Sequence, residues 1–217
     1  MREKEYSLRE KKHARTKLAI MRAFMELLKR NRFDDISIKK ICGKAEVAQG
    51  TFFNYFPEKI DVISYYVHLT TLKMIWKAQH EAPSGRYLPR IDSFFNQLSV
   101  EMNNSNLIYQ ILAVLLLQAE KPKKPEISEL EKRITFPDEN IGETPAMTLD
   151  EWFRECVSSA KKNGELVAVA NVEDIVISLT SILSGTLLAT RFMNGNSRGY
   201  HYVRQLNILW HEFGVKT

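Results

Sequence analysis

Apolar residues recur every three or four positions along much of the chain, the spacing expected of amphipathic helices. The first clear stripe predicts a helix over residues 16–30; it consists of Ile20, Phe24, Leu27 and Leu28. Ser37 is a preferred N-cap residue, so a short helix is predicted from there to about residue 44. A second short helix is predicted over residues 49–55.

The remaining pattern is helical as well. It predicts helices over residues 58–80, 90–103, 107–120, 148–163, 172–193 and 200–213. Residues 121–147 contain four of the seven prolines and are expected to form a long connection with one short helical piece near residues 127–133. No stretch alternates with the two-residue period of a strand. The predicted fold class is therefore all-α, with about nine helices.

Bulk composition is that of a globular protein: 217 residues, 44% hydrophobic and 26% charged. The longest uninterrupted apolar run covers residues 111–117, which is too short to cross a bilayer, and the charged N-terminus lacks the apolar segment of a signal peptide. We therefore expect no membrane association and a cytoplasmic location. Cys42 and Cys156 are expected to be small buried residues rather than a disulfide.

Positive charge is concentrated at one end of the chain. Residues 1–60 contain 15 Lys or Arg against 8 Asp or Glu, a net charge of +7, whereas the rest of the chain has a net charge of −2. Such a local excess attracts a polyanion, with nucleic acid the first candidate. On charge alone, a solvated, self-repelling arm over residues 2–17 explains the pattern equally well.

The segment from residue 36 to residue 56 has the most specific pattern. Two helices of about two turns joined by a tight turn are not stable alone, so the stripe over residues 16–30 must support them. Phe52 and Phe56 are four residues apart and face this support. The opposite side shows Gln49, Gly50, Thr51, Asn54 and Tyr55, without an acidic residue. Gly50 weakens a helix but lets its backbone approach another surface, such as a phosphate strand.

These residues resemble the helix-turn-helix of the TetR family of bacterial regulators. The matching residues are Ser37, then Val-Ala-Gln-Gly-Thr-Phe-Phe-Asn-Tyr-Phe over residues 47–56, and Lys59. The motif covers about residues 15–65. The resemblance implies a three-helix DNA-binding domain over residues 1–57 and a larger helical domain for effector binding and dimerisation over residues 58–217.

Two positions depart from the family pattern. Glu46 stands in the turn where the family usually has Gly, so either a non-glycine residue adopts a positive φ or the turn differs. Phe53 stands where the family often has Tyr. Its ring lacks the hydroxyl that reaches a phosphate but retains the ability to contact a thymine methyl group.

The resemblance assigns a role in DNA binding to nine residues: Ser37, Lys39, Gln49, Gly50, Thr51, Phe53, Asn54, Tyr55 and Lys59. Ser37 and Lys39 would hold phosphates, and Gln49 would pair with adenine in the major groove. Gly50 and Thr51 would lie against the backbone, while Tyr55 and Lys59 would bind phosphates. Asn54 is either a second base reader or a solvated residue. Basic residues at positions 9, 11, 12, 15, 40 and 44 would add salt-dependent affinity.

The resemblance also implies that the last two helices form a homodimer interface. The final helix has an amphipathic stripe, and the helix before it is apolar around most of its surface with a small-residue patch at residues 184–186. Burial within one chain is the alternative. A dimer would place two helix-turn-helix motifs about 34–36 Å apart on palindromic double-stranded operator DNA.

The middle of the chain implies an effector pocket by the same resemblance. Its candidate residues are Trp76, Phe94, Phe95, Tyr109, Leu112, Leu116, Trp152 and Phe153. For any one of them, core packing is the more common role. Together they would suit a small hydrophobic or aromatic effector, which would release a repressor from its operator by shifting the helix over residues 58–80.

Other functions find little support in the sequence. There is no His-x₃-His pair, no Gly-rich phosphate loop and no Gly-x-Ser-x-Gly, so neither a catalytic site nor a metal or cofactor site is expected. The second hypothesis is a DNA-binding regulator controlled by a protein partner that docks on residues 121–147. A mobile loop is the alternative role of that segment.

Overall fold

A computed structural model describes residues 5–102, 106–117, 124–137, 141, 144–192 and 198–215. Over these residues the chain is all-α, as predicted, and its one β-type pairing is an isolated bridge between Leu166 and Gly214. The helices of the described parts are α1 (Leu8–Leu28), α2 (Ile38–Ala45), α3 (Gln49–Tyr55), α4 (Lys59–Glu81), α5 (Leu88–Met102), α6 (Asn106–Leu116), α7 (Glu129–Thr135), α8 (Leu149–Lys162), α9 (Val172–Phe192) and α10 (Arg198–Phe213).

The chain forms two compact units. The first comprises described residues within 1–72 and 105–146, and so contains α1–α3, the start of α4, α6 and α7. The second comprises those within 73–104 and 147–217, with the rest of α4, α5 and α8–α10. The functional division into residues 1–57 and 58–217 stays a prediction.

The first helix begins eight residues earlier than predicted. Ser7 forms a capping box with Glu10: the Ser7 hydroxyl accepts a hydrogen bond from the Glu10 N–H at 3.2 Å, and the Glu10 carboxylate accepts one from the Ser7 N–H at 2.8 Å. The run of charges that suggested a solvated arm is therefore helical from Leu8 onward. The prediction overlooked this Ser-x-x-Glu signal.

Helix α7 confirms the short helical piece that was predicted near residues 127–133 of the long connection. It starts with a second capping box, between Ser128 and Glu131. Glu131 is 2% exposed, and its carboxylate lies 3.4 Å from the ammonium group of Lys17 on α1. Lys17 also donates to the Glu126 carbonyl at 2.7 Å and lies 4.4 Å from the ring centre of Tyr65. Since a buried charge is tolerated only when it is paired, this contact fastens α7 to α1.

The second unit is held by aromatic packing and by polar side chains at helix ends. Glu165 is 8% exposed, and its carboxylate accepts hydrogen bonds from the N–H groups of Tyr87 and Leu88, at the start of α5. Trp210 on α10 donates to Asp92 on α5 at 2.8 Å. Burial raises the pKa of the Asp92 carboxyl, while this hydrogen bond lowers it. These contacts join α5 to α10 and to the loop before α9.

The two cysteines are buried thiols, as predicted. They lie in different units, Cys42 in the first and Cys156 in the second. Burial raises the pKa of the Cys156 thiol to about 12.

Helix α9 is long and apolar enough to cross a membrane by length and composition. The sequence has no long uninterrupted apolar run here, because serine and threonine divide most of its apolar residues into short runs. Length and composition alone are weak grounds, since the core helices of soluble proteins pass the same test. One side of α9 packs on α8 and α10, with Ile175, Leu179 and Leu187 almost fully buried.

Candidate nucleic-acid interface

Helix α3 is held by a small core contributed by α1, α2 and α4. Phe52 and Phe56 are buried in it, as predicted, with ring centres 6.1 Å apart. The Phe56 ring meets the edge of the Tyr65 ring at 5.6 Å, and Phe24 and Ile41 belong to the same core. A helix of seven residues depends on such contacts, because short helices are marginal in isolation.

The turn between α2 and α3 has left-handed backbone at Glu46. Ser37 caps the start of α2, as predicted, by accepting a hydrogen bond from the Lys40 N–H. At the end of α2, Glu46 has φ 55° and ψ 44°, and the Val47 N–H donates to the Cys42 carbonyl at 3.0 Å. Of the two alternatives for the missing glycine, the structure shows the first: a non-glycine residue in the left-handed region.

The exposed side of α3 consists of four residues on two successive helical turns: Gln49, Gly50, Phe53 and Asn54. We name it the α3 outer face. All four are exposed. Gln49 and Phe53 are one turn apart, as are Gly50 and Asn54, so they form two adjacent rows. The α3 outer face contains amide groups, open backbone and one phenyl ring, and no charge.

Nothing within the described structure requires a glycine at position 50. A Cβ atom built on Gly50 would meet no atom of another residue within 4 Å. Its φ is not positive, because the described residues with positive φ are Glu46, Gly85 and Gly164. The missing side chain therefore leaves room for a surface outside the chain.

Exposed positive charge accompanies this face on α2. Lys39 is exposed in the first turn, beside the Ser37 cap. Lys40 donates to the Asp35 carbonyl at 3.2 Å, and Lys44 forms an ion pair with Glu26 at 2.8 Å, which lowers the pKa of the Glu26 carboxyl. Two of the three lysines of α2 thus have partners within the chain.

Lys59 has an intramolecular role that the sequence did not reveal. Its ammonium group donates to the carbonyls of Phe33 at 2.7 Å and Ile36 at 2.9 Å, and lies 4.2 Å from the centre of the Phe33 ring. Burial lowers the pKa of this ammonium group. Lys59 therefore holds the segment that leads into α2. Binding a phosphate as well would depend on its remaining N–H.

Thr51 and Tyr55 lie at the border of the α3 outer face, and both are half-buried. The Tyr55 ring packs against the His13 ring of α1, with 4.7 Å between ring centres. Tyr55 therefore also joins α3 to α1. The roles assigned to these residues on DNA stay predictions.

The predicted effector residues are distributed over both units. In the second unit, Phe94, Phe95, Trp152 and Phe153 are almost fully buried and pack on one another, with centres 5.2 Å apart for Phe94 and Trp152 and 5.9 Å for Phe95 and Phe153. These four rings therefore form part of the core of the second unit, which is the role considered more common for any one of them. The fifth predicted residue of this unit, Trp76 on α4, has its ring centre 4.2 Å from that of His80.

The other three predicted effector residues are on α6 in the first unit. Tyr109 and Leu112 are half-buried, and Leu116 is 63% exposed. An effector pocket built from all eight residues stays a prediction.

No family model and no curated relative matches the sequence. Solved structures do match. FadR of Thermus thermophilus, a TetR-family transcriptional repressor solved with lauroyl-CoA, aligns over 93% of this chain and 96% of its own, with a TM-score of 0.67 and 20% identity. The chain has the TetR fold.

Two further neighbours support this assignment of the TetR fold. SmeT, the repressor of a multidrug efflux pump of Stenotrophomonas maltophilia, covers 92% of this chain and 91% of its own at 12% identity and a TM-score of 0.63. FadR of Bacillus subtilis, a transcriptional regulator solved with stearoyl-CoA, covers 88% of this chain and 96% of its own at 15% identity and a TM-score of 0.62. All three are transcriptional regulators. Within the TetR fold, α2 and α3 match the predicted helix-turn-helix.

Proposed function

We propose that this chain is a DNA-binding transcriptional regulator of the TetR family, and that the α3 outer face enters the major groove. The proposal rests on that face itself. It has two exposed amide side chains, no charge and a glycine with free space around it, and it lies on a short helix that three other helices support. Gln49 offers the amide that pairs with adenine, and Lys39 offers a charge for a phosphate.

The regulator acts as a homodimer through α9 and α10. The side of α9 that faces away from its core leaves Ile177 63%, Leu188 39% and Phe192 82% exposed. On α10, Tyr200 and Ile208 are 59% and 60% exposed. A cleft of about 470 Å³ lies between the two helices and is lined by residues such as Gly185, Thr186 and His201. Large apolar side chains exposed on two neighbouring helices mark a candidate protein–protein contact.

The neighbours support control by a small, largely apolar effector. Two of them are solved with acyl-CoA thioesters and SmeT has been solved with triclosan, all ligands with a large apolar part. A ligand that favours one conformation of the regulator would lower its affinity for DNA and release repression. The alternative is a protein partner that docks on residues 121–147, where α7 and its buried Glu131 form part of the first unit.

Selection of duplex DNA from a random pool at several salt concentrations tests the proposal. We expect a palindromic site with half-sites about 34–36 Å apart and an affinity that falls steeply with salt. Gln49→Ala should relax the preference for adenine at one position of each half-site, whereas Lys162→Ala at the exposed end of α8 should leave the selected sequence unchanged. No duplex binding even at low ionic strength would overturn the proposal.

Thermal unfolding with a panel of acyl-CoA thioesters and aromatic compounds separates the two forms of control. An effector should raise the midpoint by binding the folded state, and the same compound should weaken operator binding. If no compound does either, while a protein partner releases the operator, control by a partner is the better explanation.

A further inference from the structure

The carboxylate of Glu131 both starts α7 and attaches it to α1. One of its oxygens accepts a hydrogen bond from the Ser128 N–H at 2.9 Å, which closes the capping box of α7. The other oxygen lies 3.4 Å from the ammonium group of Lys17, and both side chains are buried. A helix of seven residues is marginal in isolation, so α7 depends on its attachment to α1.

Lys17 also adjoins two contacts that fix the end of α3. Its ammonium group lies 4.4 Å from the centre of the Tyr65 ring, and that ring meets Phe56, the residue at which α3 ends. His13, one turn before Lys17 on the same side of α1, packs against Tyr55 in the last turn of α3. Lys17 therefore lies between α7 and the residues that hold α3 in place.

A buried ion pair restricts the placement of two helices more than apolar packing does. Apolar contacts are non-directional, whereas a buried charge that moves away from its partner is left uncompensated. We propose that Lys17 and Glu131 are positioning residues for operator binding, because their ion pair fixes α1 and the end of α3 in the orientation that enters the groove. The inference rests on the proposed function and adds α7 to the DNA-binding unit.

Three variants separate the ion pair from the helix cap. Glu131→Gln removes the charge and keeps an oxygen for the Ser128 N–H, since glutamine serves at this position of a capping box as well. Glu131→Gln and Lys17→Met each leave one buried charge without its partner, so both should lower the midpoint of thermal unfolding. The double variant has neither charge. It should recover most of the midpoint, because replacement of a buried pair by uncharged side chains is often neutral.

Operator binding by the double variant separates positioning from stability. It is measured at a temperature at which every variant is folded. A pair that only stabilises the chain would give the parental affinity once the midpoint is restored. We expect binding to remain about tenfold weaker. The slope of log affinity against log salt should be unchanged, because no phosphate contact is removed.

Lys132→Met is the matched control on the same helix. Lys132 is also buried, but its ammonium group donates to the Thr144 carbonyl instead of reaching α1. This variant should lose stability and keep the parental affinity in its folded state. If it weakens operator binding as much as the double variant does, the contact between α7 and α1 has no special role and the inference is wrong.

Hydrogen exchange of the unmodified protein gives a second test that does not depend on any variant. Coupling between two sites is reciprocal, so operator DNA should slow local opening of α7. We expect exchange of the α7 amides to slow more than that of the α8 amides, which lie in the other unit.

Two further results would overturn the inference: a double variant with restored stability and parental affinity, or α7 exchange that operator DNA leaves unchanged. Failure of the proposed function is distinct from both, since no duplex would then be selected at all.

Discussion

Helices α3 and α9 both expose a face that the described parts of the chain leave uncovered, yet the two faces differ in chemistry. The α3 outer face has two amides, a bare glycine backbone and one ring over seven residues of helix. The exposed side of α9 has Ile177, Leu188 and Phe192, with small residues such as Ser181 and Gly185 between them, over 21 residues. Both faces are exposed, but their different chemistry indicates that they bind different partners.

The difference follows from what each surface gains on binding. Removal of an apolar face from water stabilises the complex by about 25 cal/mol for each Å² buried, so another apolar face is a suitable partner. Amides gain little from burial unless their hydrogen bonds are replaced, so the α3 outer face requires a partner with matching donors and acceptors. A second copy of the chain suits α9, and a base-pair edge suits α3.

The largest effect is expected from a charge on the apolar face. Ile177→Asp would bury a carboxylate against apolar side chains in a dimer, so the protein should become monomeric at micromolar concentration. Loss of the second protomer's helix-turn-helix should weaken operator binding by about 10²-fold or more. Sedimentation and operator titration measure the two effects.

Val169→Asp is the matched control for this prediction. Val169 is 89% exposed but lies in the loop before α9. This variant should remain dimeric and bind the operator normally. If Ile177→Asp is also dimeric with unchanged affinity, the exposed side of α9 is not the interface.

The next largest effect is expected from Lys59, which supports the helix-turn-helix rather than belonging to the α3 outer face. Lys59→Met removes two charge-assisted hydrogen bonds to the Phe33 and Ile36 carbonyls, and should lower the free energy of unfolding by about 1.5–3 kcal/mol. Urea denaturation measures it. Lys29→Met, at an exposed lysine at the end of α1, should change stability little.

The salt dependence of operator binding distinguishes the two roles of Lys59. A residue that only positions the turn changes affinity without changing the number of ions released, so the slope of log affinity against log salt should stay the same. A residue that also binds a phosphate lowers that slope by about one. Unchanged stability combined with a lowered slope would show that the contacts to Phe33 and Ile36 do not support the fold.

Gly50→Ala should move stability and DNA affinity in opposite directions. The added Cβ meets nothing within 4 Å and favours the helix, so unfolding should cost about 0.5–1 kcal/mol more. The same Cβ would separate the backbone from DNA and weaken operator binding, by about tenfold if 1.4 kcal/mol of contact is lost.

Gly43→Ala is the matched control for Gly50. Gly43 is an exposed glycine near the end of α2, with nothing within 4 Å of an added Cβ. It should show a similar gain in stability with little change in affinity. If Gly50→Ala binds the operator as tightly as the parent, the α3 outer face does not approach DNA closely.

Much of this arrangement was predictable from local pattern. The alternation of buried and exposed residues around Phe52 and Phe56 follows the helical period, and the Ser37 cap is a local signal, so α2 and α3 were predicted almost to the residue. The same period correctly placed Gln49, Gly50 and Asn54 on the exposed side of α3, whereas Thr51 and Tyr55, predicted there as well, are half-buried. These features depend on residues a few positions apart.

Features that depend on distant parts of the chain were not predictable. Lys59 binds carbonyls 26 and 23 residues away, and Lys17 pairs with Glu131 across more than a hundred positions. Sequence spacing identifies a lysine but not the carbonyl or carboxylate that it meets. For the same reason α7 was recognised as a short helix but not as part of the unit that contains α3.

The smallest effect on operator affinity is expected at the left-handed turn between α2 and α3. Glu46→Gly should raise the free energy of unfolding by about 1 kcal/mol, because glycine adopts φ 55° without the cost borne by a side chain. Thermal denaturation measures the gain. Glu46→Ala is the control, since it keeps a Cβ in the left-handed region and should gain no stability.

The pair of variants also tests which surface faces DNA. Glu46 is exposed and immediately precedes α3, and either substitution removes its negative charge. If the α3 outer face lies in the groove, both variants should bind the operator slightly more tightly at low salt, by about twofold, and the gain should fade as salt rises. A gain in affinity for Gly alone would instead mean that the strain of the turn, not its charge, limits how α3 meets the duplex.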